Sequence, residues 1–203
     1  AAVAAAANPL ERRGRVGHRG GGAVAAANDR SRERNSQPAA LFLEAAPWRA
    51  LSKGGGAKVL VAGADDDGVA AALAAAGLAP TAWRRFASSG ADAHVAAWPA
   101  AATDGEAYDG CAMRWPWYAA GDAAAMALHA IAPLLKPGAE LWVFGNADEG
   151  ADGCEAALAP LFDDCTLVRS RDGALVYRAR RRTGAAVAKK AASRASLHDW
   201  RET

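Results

Sequence analysis

Residues 134–145 read LLKPGAELWVFG: two leucines, a Lys-Pro-Gly turn, and an apolar run without polar interruption after Glu140. Pro fixes φ and Gly tolerates left-handed backbone, so Lys136-Pro137-Gly138 ends whatever precedes it. A continuous apolar run of this length, closed by Gly145, reads as a strand buried on both faces. Working back, GDAAAMALHAIAPLL (121–135) has the spacing of a capped helix, and DGCAMRW (109–115) reads as another buried strand. Strand, helix, turn and strand in that order form a βαβ unit, which requires a parallel sheet.

The same alternation extends in both directions. PAALFLEAAPWRAL (38–51) reads as an amphipathic helix, and Gly54-Gly55-Gly56 as a linker. KVLVAG (58–63) is a short buried strand. Asp65 to Asp67 supply cap chemistry for the helix GVAAALAAAG (68–77). TAWRRF (81–86) and AHVAAW (93–98) read as the second and third strands. After residue 145, ADGCEAALAPLF (151–162) is helical, and CTLVRS with ALVYRAR form a hairpin about Arg171-Asp172-Gly173. The expected fold class is therefore α/β, Rossmann-like, with a mostly parallel sheet and an antiparallel C-terminal hairpin.

Composition bounds the rest. Twenty-four basic and 22 acidic residues leave a net charge of +2, so bulk charge does not announce a nucleic-acid partner. The distribution says more, because basic residues crowd both ends. Residues 1–38 are rich in Ala, Arg, Gly and Ser, the composition of an organelle transit peptide or of a flexible basic arm. The domain is expected over 39–182 and a basic tail over 183–203. Cys111, Cys154 and Cys165 lack metal-site spacing and read as reduced thiols, two of them core. No apolar run reaches the roughly 20 residues that span a bilayer, so no membrane partner is expected.

The layout, with the Leu-Leu-Lys-Pro-Gly turn before an apolar strand and a terminal hairpin, resembles the class I S-adenosylmethionine-dependent methyltransferase fold. Over about 39–182 it is similar to the amino-terminal half of the tandem-domain enzymes that methylate a guanine N2 in small-subunit ribosomal RNA. VLVAGADDDGVAAAL, the Trp115-Pro116 pair and WVFGNADEGADGCEAAL carry that likeness. The resemblance implies a degenerate copy of the fold, since in that family the active copy with its Asn-Pro-Pro-Phe loop comes later in the chain.

Set against what an active site of that fold needs, the residues depart at three places. The turn after the first strand keeps Gly63 and Gly68 but fills the interval with Asp65, Asp66 and Asp67, which compete with the methionine carboxylate received there. The second strand ends in Arg84-Arg85, where a ribose-binding acid is expected; Arg has donors only. The loop after the fourth strand reads Arg114-Trp115-Pro116-Trp117. An amine-methylating loop there offers the side-chain oxygen of Asn or Asp and a Pro carbonyl to the target nitrogen, and Arg114 replaces that acceptor with a cation. The loop is thus expected to be vestigial, its tryptophans packed in the core or stacked on bases, and the pocket of Gly63, Asp65, Gly68 and Met113 to be lost. No metal ligands are expected.

Arg178, Arg180, Arg181, Arg182, Lys189, Lys190 and Arg194 remain as candidate phosphate contacts, with an ordinary solvated tail as the alternative. The leading expectation is a non-catalytic methyltransferase-like domain associated with RNA or a ribonucleoprotein, such as a mitochondrial or plastid ribosome, with no cofactor. One alternative is an active S-adenosylmethionine-dependent ribosomal RNA methyltransferase, completed by a partner subunit, with the four pocket residues binding the cofactor. Another is a protein–protein scaffold in a large assembly.

Overall fold

The computed structural model describes residues 36–63, 68–84, 94–95, 107–116 and 122–183. All of them fall in the compact unit Asn35–Thr203; the second unit is Ala1–Arg34. Among the described residues, seven strands make one sheet in the order β3-β2-β1-β4-β5-β7-β6. They are β1 (Lys58–Ala62), β2 (Ala79–Arg84), β3 (His94–Val95), β4 (Tyr108–Arg114), β5 (Leu135–Asn146), β6 (Phe162–Arg171) and β7 (Ala174–Arg181). β1 to β5 pair in parallel, and β7 enters antiparallel between β5 and β6. The order reverses between β1 and β4, and ligands of open α/β sheets bind in the crevice at the carboxyl ends of such strands.

Strand alternation separates two cores. Val59, Val61, Ala112, Trp142, Phe144 and Val176 meet α1 (36–45), α2 (Arg49–Ser52) and α3 (Val69–Ala75) on one face. Leu60, Cys111, Met113, Leu141, Val143 and Tyr177 meet α4 (Asp122–Ile131) and α5 (Cys154–Leu158) on the other. Because so many helix residues are Ala, the large side chains of β5 fill the space. The Phe42 ring stacks on Phe144 with centroids 4.7 Å apart. Trp142 is fully buried beside Gly110, where a Cβ would come within 2.9 Å of its indole.

Several boundaries differ from the sequence reading. The helix expected over 38–51 breaks at Ala46, whose φ is +43°, because a residue before Pro is disfavoured in the helical region. α4 passes into a 3-10 turn at Ala132–Leu134 before Pro137 is reached. β5 starts at Leu135, which pairs with Tyr108, and the Lys-Pro-Gly turn is a bulge inside the strand before Gly110 meets Glu140. The helix expected over 151–162 shortens to α5, and Phe162 to Asp164 extend β6 instead. β3 is described only at two residues.

At the amino ends of the parallel strands, Asp109 accepts the Lys58 N–H at 2.8 Å and the Lys136 ammonium at 2.6 Å. Partial burial alone would raise its pKa, but those two hydrogen bonds and the lysine charges together hold it below the ordinary value. A carboxyl lowered on folding contributes stability above its unfolded pKa of about 4 and loses it as pH falls through the lower folded value. Asp109→Asn is therefore expected to destabilise the fold at neutral pH. The gap from the unchanged protein should close below about pH 4, measured by urea unfolding across pH.

Candidate functional site

The carboxyl ends of β1, β4 and β5 converge on one place. Gly63, just past β1, has φ of +72° and donates its N–H to the Trp83 carbonyl at 3.3 Å. A Cβ there would sit 3.2 Å from the Arg114 carbonyl, so the turn after β1 lies directly against the loop after β4. Gly68, at the start of α3, also has φ of +72°. Both glycines thus hold conformations that side chains rarely adopt. Asp65 and the rest of 64–67 lie outside the described residues, as do Arg85, Trp117, Lys189, Lys190 and Arg194. Met113 is buried in the core on the α4 face.

Arg114 does not project outward. It is 6% exposed, and its guanidinium turns back to Glu149, with Nη2 donating to Oε2 at 2.8 Å. Glu149 is held in place by local geometry. Asn146 and Glu149 form a capping box around the 3-10 turn Ala147–Glu149, and the same Oε2 accepts the Asn146 N–H at 3.3 Å. Arg114 Nη1 also makes a long hydrogen bond, 3.4 Å, to the carbonyl of Trp115. In the loop expected from sequence, Trp115 takes the place of the first Pro. The one side-chain cation of the loop is neutralised, and one of its two expected acceptors is engaged by its own arginine.

Trp115 is 8% exposed and belongs to the core. Its N–H extends the β4–β5 pairing by donating to the Phe144 carbonyl at 2.8 Å. Gly145 lets it in: a Cβ at that position would come within 2.6 Å of the Trp115 Cβ and 2.9 Å of the Ala151 Cβ. Of the two roles open to this indole in sequence, packing is the one its burial fits. Glu149 is thus both a cap of the Ala147–Glu149 turn and a largely buried ion-pair partner. The Asn-x-x-Glu spacing of a capping box was its available signal.

Cys111 and Cys154 are buried and free, and desolvation pushes both thiols far above the ordinary range, which disfavours the thiolate form. Among the described residues no group of three His, Cys, Asp or Glu side chains could hold a metal, and no helix is long and apolar enough to cross a membrane.

The candidate phosphate contacts divide. Arg178 and Arg180 share one face of β7, where they line an open cleft of about 300 Å³ with Glu140, Asp164 and Thr166. Arg180 meets Asp164 at 3.4 Å and Arg182 meets Asp163 at 2.7 Å, so two of the four described arginines already face carboxylates. Arg181 is partly buried, its Nε has no hydrogen-bond partner, and desolvation lowers its pKa. Arg178 is the most available of the four.

No protein-family model and no curated protein sequence matches the chain. Solved structures do. The T. thermophilus 16S rRNA N2 methyltransferase RsmC, solved with AdoMet and guanosine, aligns with a TM-score of 0.52 at 20% identity, over 68% of this chain. The chain spans only 40% of that enzyme's length. The 1,6-didemethyltoxoflavin-N1-methyltransferase of Burkholderia thailandensis gives 0.53 at 22% identity, over 79% of this chain and 86% of its own. A release-factor-specific protein-(glutamine-N5) methyltransferase of Alicyclobacillus acidocaldarius gives 0.50 at 21%, over 74% and 94%. Their named substrates are an RNA, a small molecule and a protein, so the likeness speaks to architecture and not to substrate. With the strand order, the reversed hairpin and the site at the β1–β4 switch point, it establishes that the chain has the class I S-adenosylmethionine-dependent methyltransferase fold.

Proposed function

We propose that the chain is a methyltransferase-fold domain that has given up methyl transfer and serves as a docking module for RNA or a ribonucleoprotein. The observation that carries this reading is the Arg114–Glu149 ion pair. Where an amine would need a hydrogen-bond acceptor, the chain places a buried guanidinium, and it turns the neighbouring carbonyl toward that guanidinium. Catalysis of this kind depends on acceptors preorganised at the reacting nitrogen; here one is replaced by Arg114 and the other, the Trp115 carbonyl, is engaged by that arginine. The described residues do not fit the cofactor either, since Met113 is buried and β2 ends in Arg84 rather than an acid.

RNA is favoured over a protein partner by the arginines leaving β7 and the basic residues beyond 183, which would neutralise phosphates without reading sequence. An organellar ribosome is the setting in which a transit-like leader and a sequence resemblance to ribosomal RNA methyltransferases belong together. The rival reading, an active enzyme completed by a partner subunit, draws on the left-handed Gly63 and Gly68 that flank the first turn.

Calorimetry separates the two. No heat is expected on titrating S-adenosylmethionine or S-adenosylhomocysteine into the full chain, and micromolar binding of either would overturn the non-catalytic reading. RNA binding is expected to weaken steeply with salt and to fall at least tenfold on removal of residues 184–203. Truncation begins there because β7 runs to Arg181 and must stay intact. RNA binding untouched by this truncation would rule out anchoring by the tail.

A further inference from the structure

β6 ends the sheet order, and among the described residues no strand covers its outer side. It is ten residues long and exposed along nearly its whole length. An uncovered strand offers unpaired backbone N–H and C=O groups, the usual template for pairing with another chain. Leu167 and Val168, the two large apolar side chains left exposed among the described residues, sit at its middle, 49% and 40% exposed. Ladder shifts fall between Asp163 and Thr166 and between Leu167 and Arg169; the second leaves Val168 without a partner on β7. Such bulges guard an edge against indiscriminate pairing, but they do not cover the apolar centre.

Charge along β6 is segregated. Asp163 and Asp164 precede the apolar pair, and Arg169 and Arg171 follow it. We propose that β6 is a homodimer interface, in which the β6 strands of two copies pair antiparallel about Leu167 and Val168. That arrangement lays the acidic end of each strand beside the basic end of the other, with Asp164 opposite Arg171, whereas parallel pairing would oppose like charges. A two-fold interface must be self-complementary, and acid–apolar–base along one strand satisfies that condition. The present partners do not forbid it. Glu44 serves both Arg169 and Arg171, at 2.6 and 2.7 Å, so one carboxylate answers two guanidiniums. Asp163 and Asp164 meet arginines one strand further in, and all these pairs are solvent-exposed and exchange at little cost.

The test is sedimentation equilibrium of the full chain after nuclease treatment, which separates it from RNA binding and from the function proposed above. The unchanged protein is expected to dimerise reversibly and to dissociate more readily in high salt. Arg169→Glu with Arg171→Glu makes the strand uniformly acidic, and Asp163→Lys with Asp164→Lys makes it uniformly basic. Each variant alone is expected to dimerise at least tenfold more weakly, and an equimolar mixture to recover a one-to-one heterodimer. Recovery by mixing also shows that both variants are folded. A chain that stays monomeric throughout, as when residues 1–35 or 184–203 cover the edge, would overturn the proposal. So would a dimer that persists in both variants alone.

Discussion

Glu149→Ala is expected to cost about 3 kcal/mol of folding stability, which is large against a typical total of about 5–15 kcal/mol. The loss follows from what is left behind. The Arg114 side chain is 5% exposed and that of Glu149 16%, so removing the carboxylate strands a guanidinium that cannot reach bulk water. The change also removes the acceptor of the Asn146 N–H, which is the Glu149 half of the capping box, at a cost on the order of 1 kcal/mol. Glu149→Gln keeps an acceptor without the charge and should fall between. The diagnostic variant is the double change Arg114→Met with Glu149→Gln. With no charge left to bury, it should lose less than Glu149→Ala alone, a non-additivity that urea unfolding measures directly. If Glu149→Ala unfolds at the same denaturant concentration as the unchanged protein, Arg114 is free to swing outward, and the case for a retired loop weakens with it.

Gains and gaps of the sequence reading have physical causes. The alternation of strands and helices was legible because β1, β4 and β5 are buried on both faces and must be apolar throughout; KVLVAG and AELWVFG announce themselves. Two of the three cysteines were expected in the core without being told apart; the structure buries Cys111 on β4 and Cys154 on α5. Boundaries were harder where a single dihedral decides. Ala46 breaks a helix that periodicity carries through, and Asp164, with φ of +53°, continues β6 through a bulge at residues that look like a turn. In the site, the substitution of Arg114 for an acceptor could be read from the sequence, but its direction could not. A lone arginine in a loop is expected to face water. Here it faces inward because a capping box thirty-five residues later fixes a carboxylate beneath it. The arginines in and just past β7 were counted as candidate phosphate contacts, whereas Asp164 meets Arg180 and Asp163 meets Arg182 through a strand pairing that sequence distance hides.

Gly145→Ala tests the other half of the loop's anchoring, and its expected cost is about 2–3 kcal/mol, the upper part of the range for overpacking a core. Gly145 has an ordinary backbone conformation, so the penalty is one of space rather than strain. The added methyl would lie 2.6 Å from the Trp115 Cβ and 2.9 Å from the Ala151 Cβ, distances that real Cβ atoms do not show. The identity of the colliding atoms makes the prediction sharp. Trp115→Ala discards the indole but keeps its Cβ, so it removes core packing without relieving the closest contact and should not rescue. Ala151→Gly removes the second collision and should recover part of the loss. A rescue by Trp115→Ala would mean that the indole, not the strand, is what presses on β5. The same packing bears on function: Trp115 hydrogen-bonds to β5 and closes over Gly145, fixing the segment that would have to open for a substrate nitrogen to approach. Gly145→Ala should therefore raise the mobility of residues 114–116 without creating an acceptor. Amide exchange there should quicken relative to the unchanged protein.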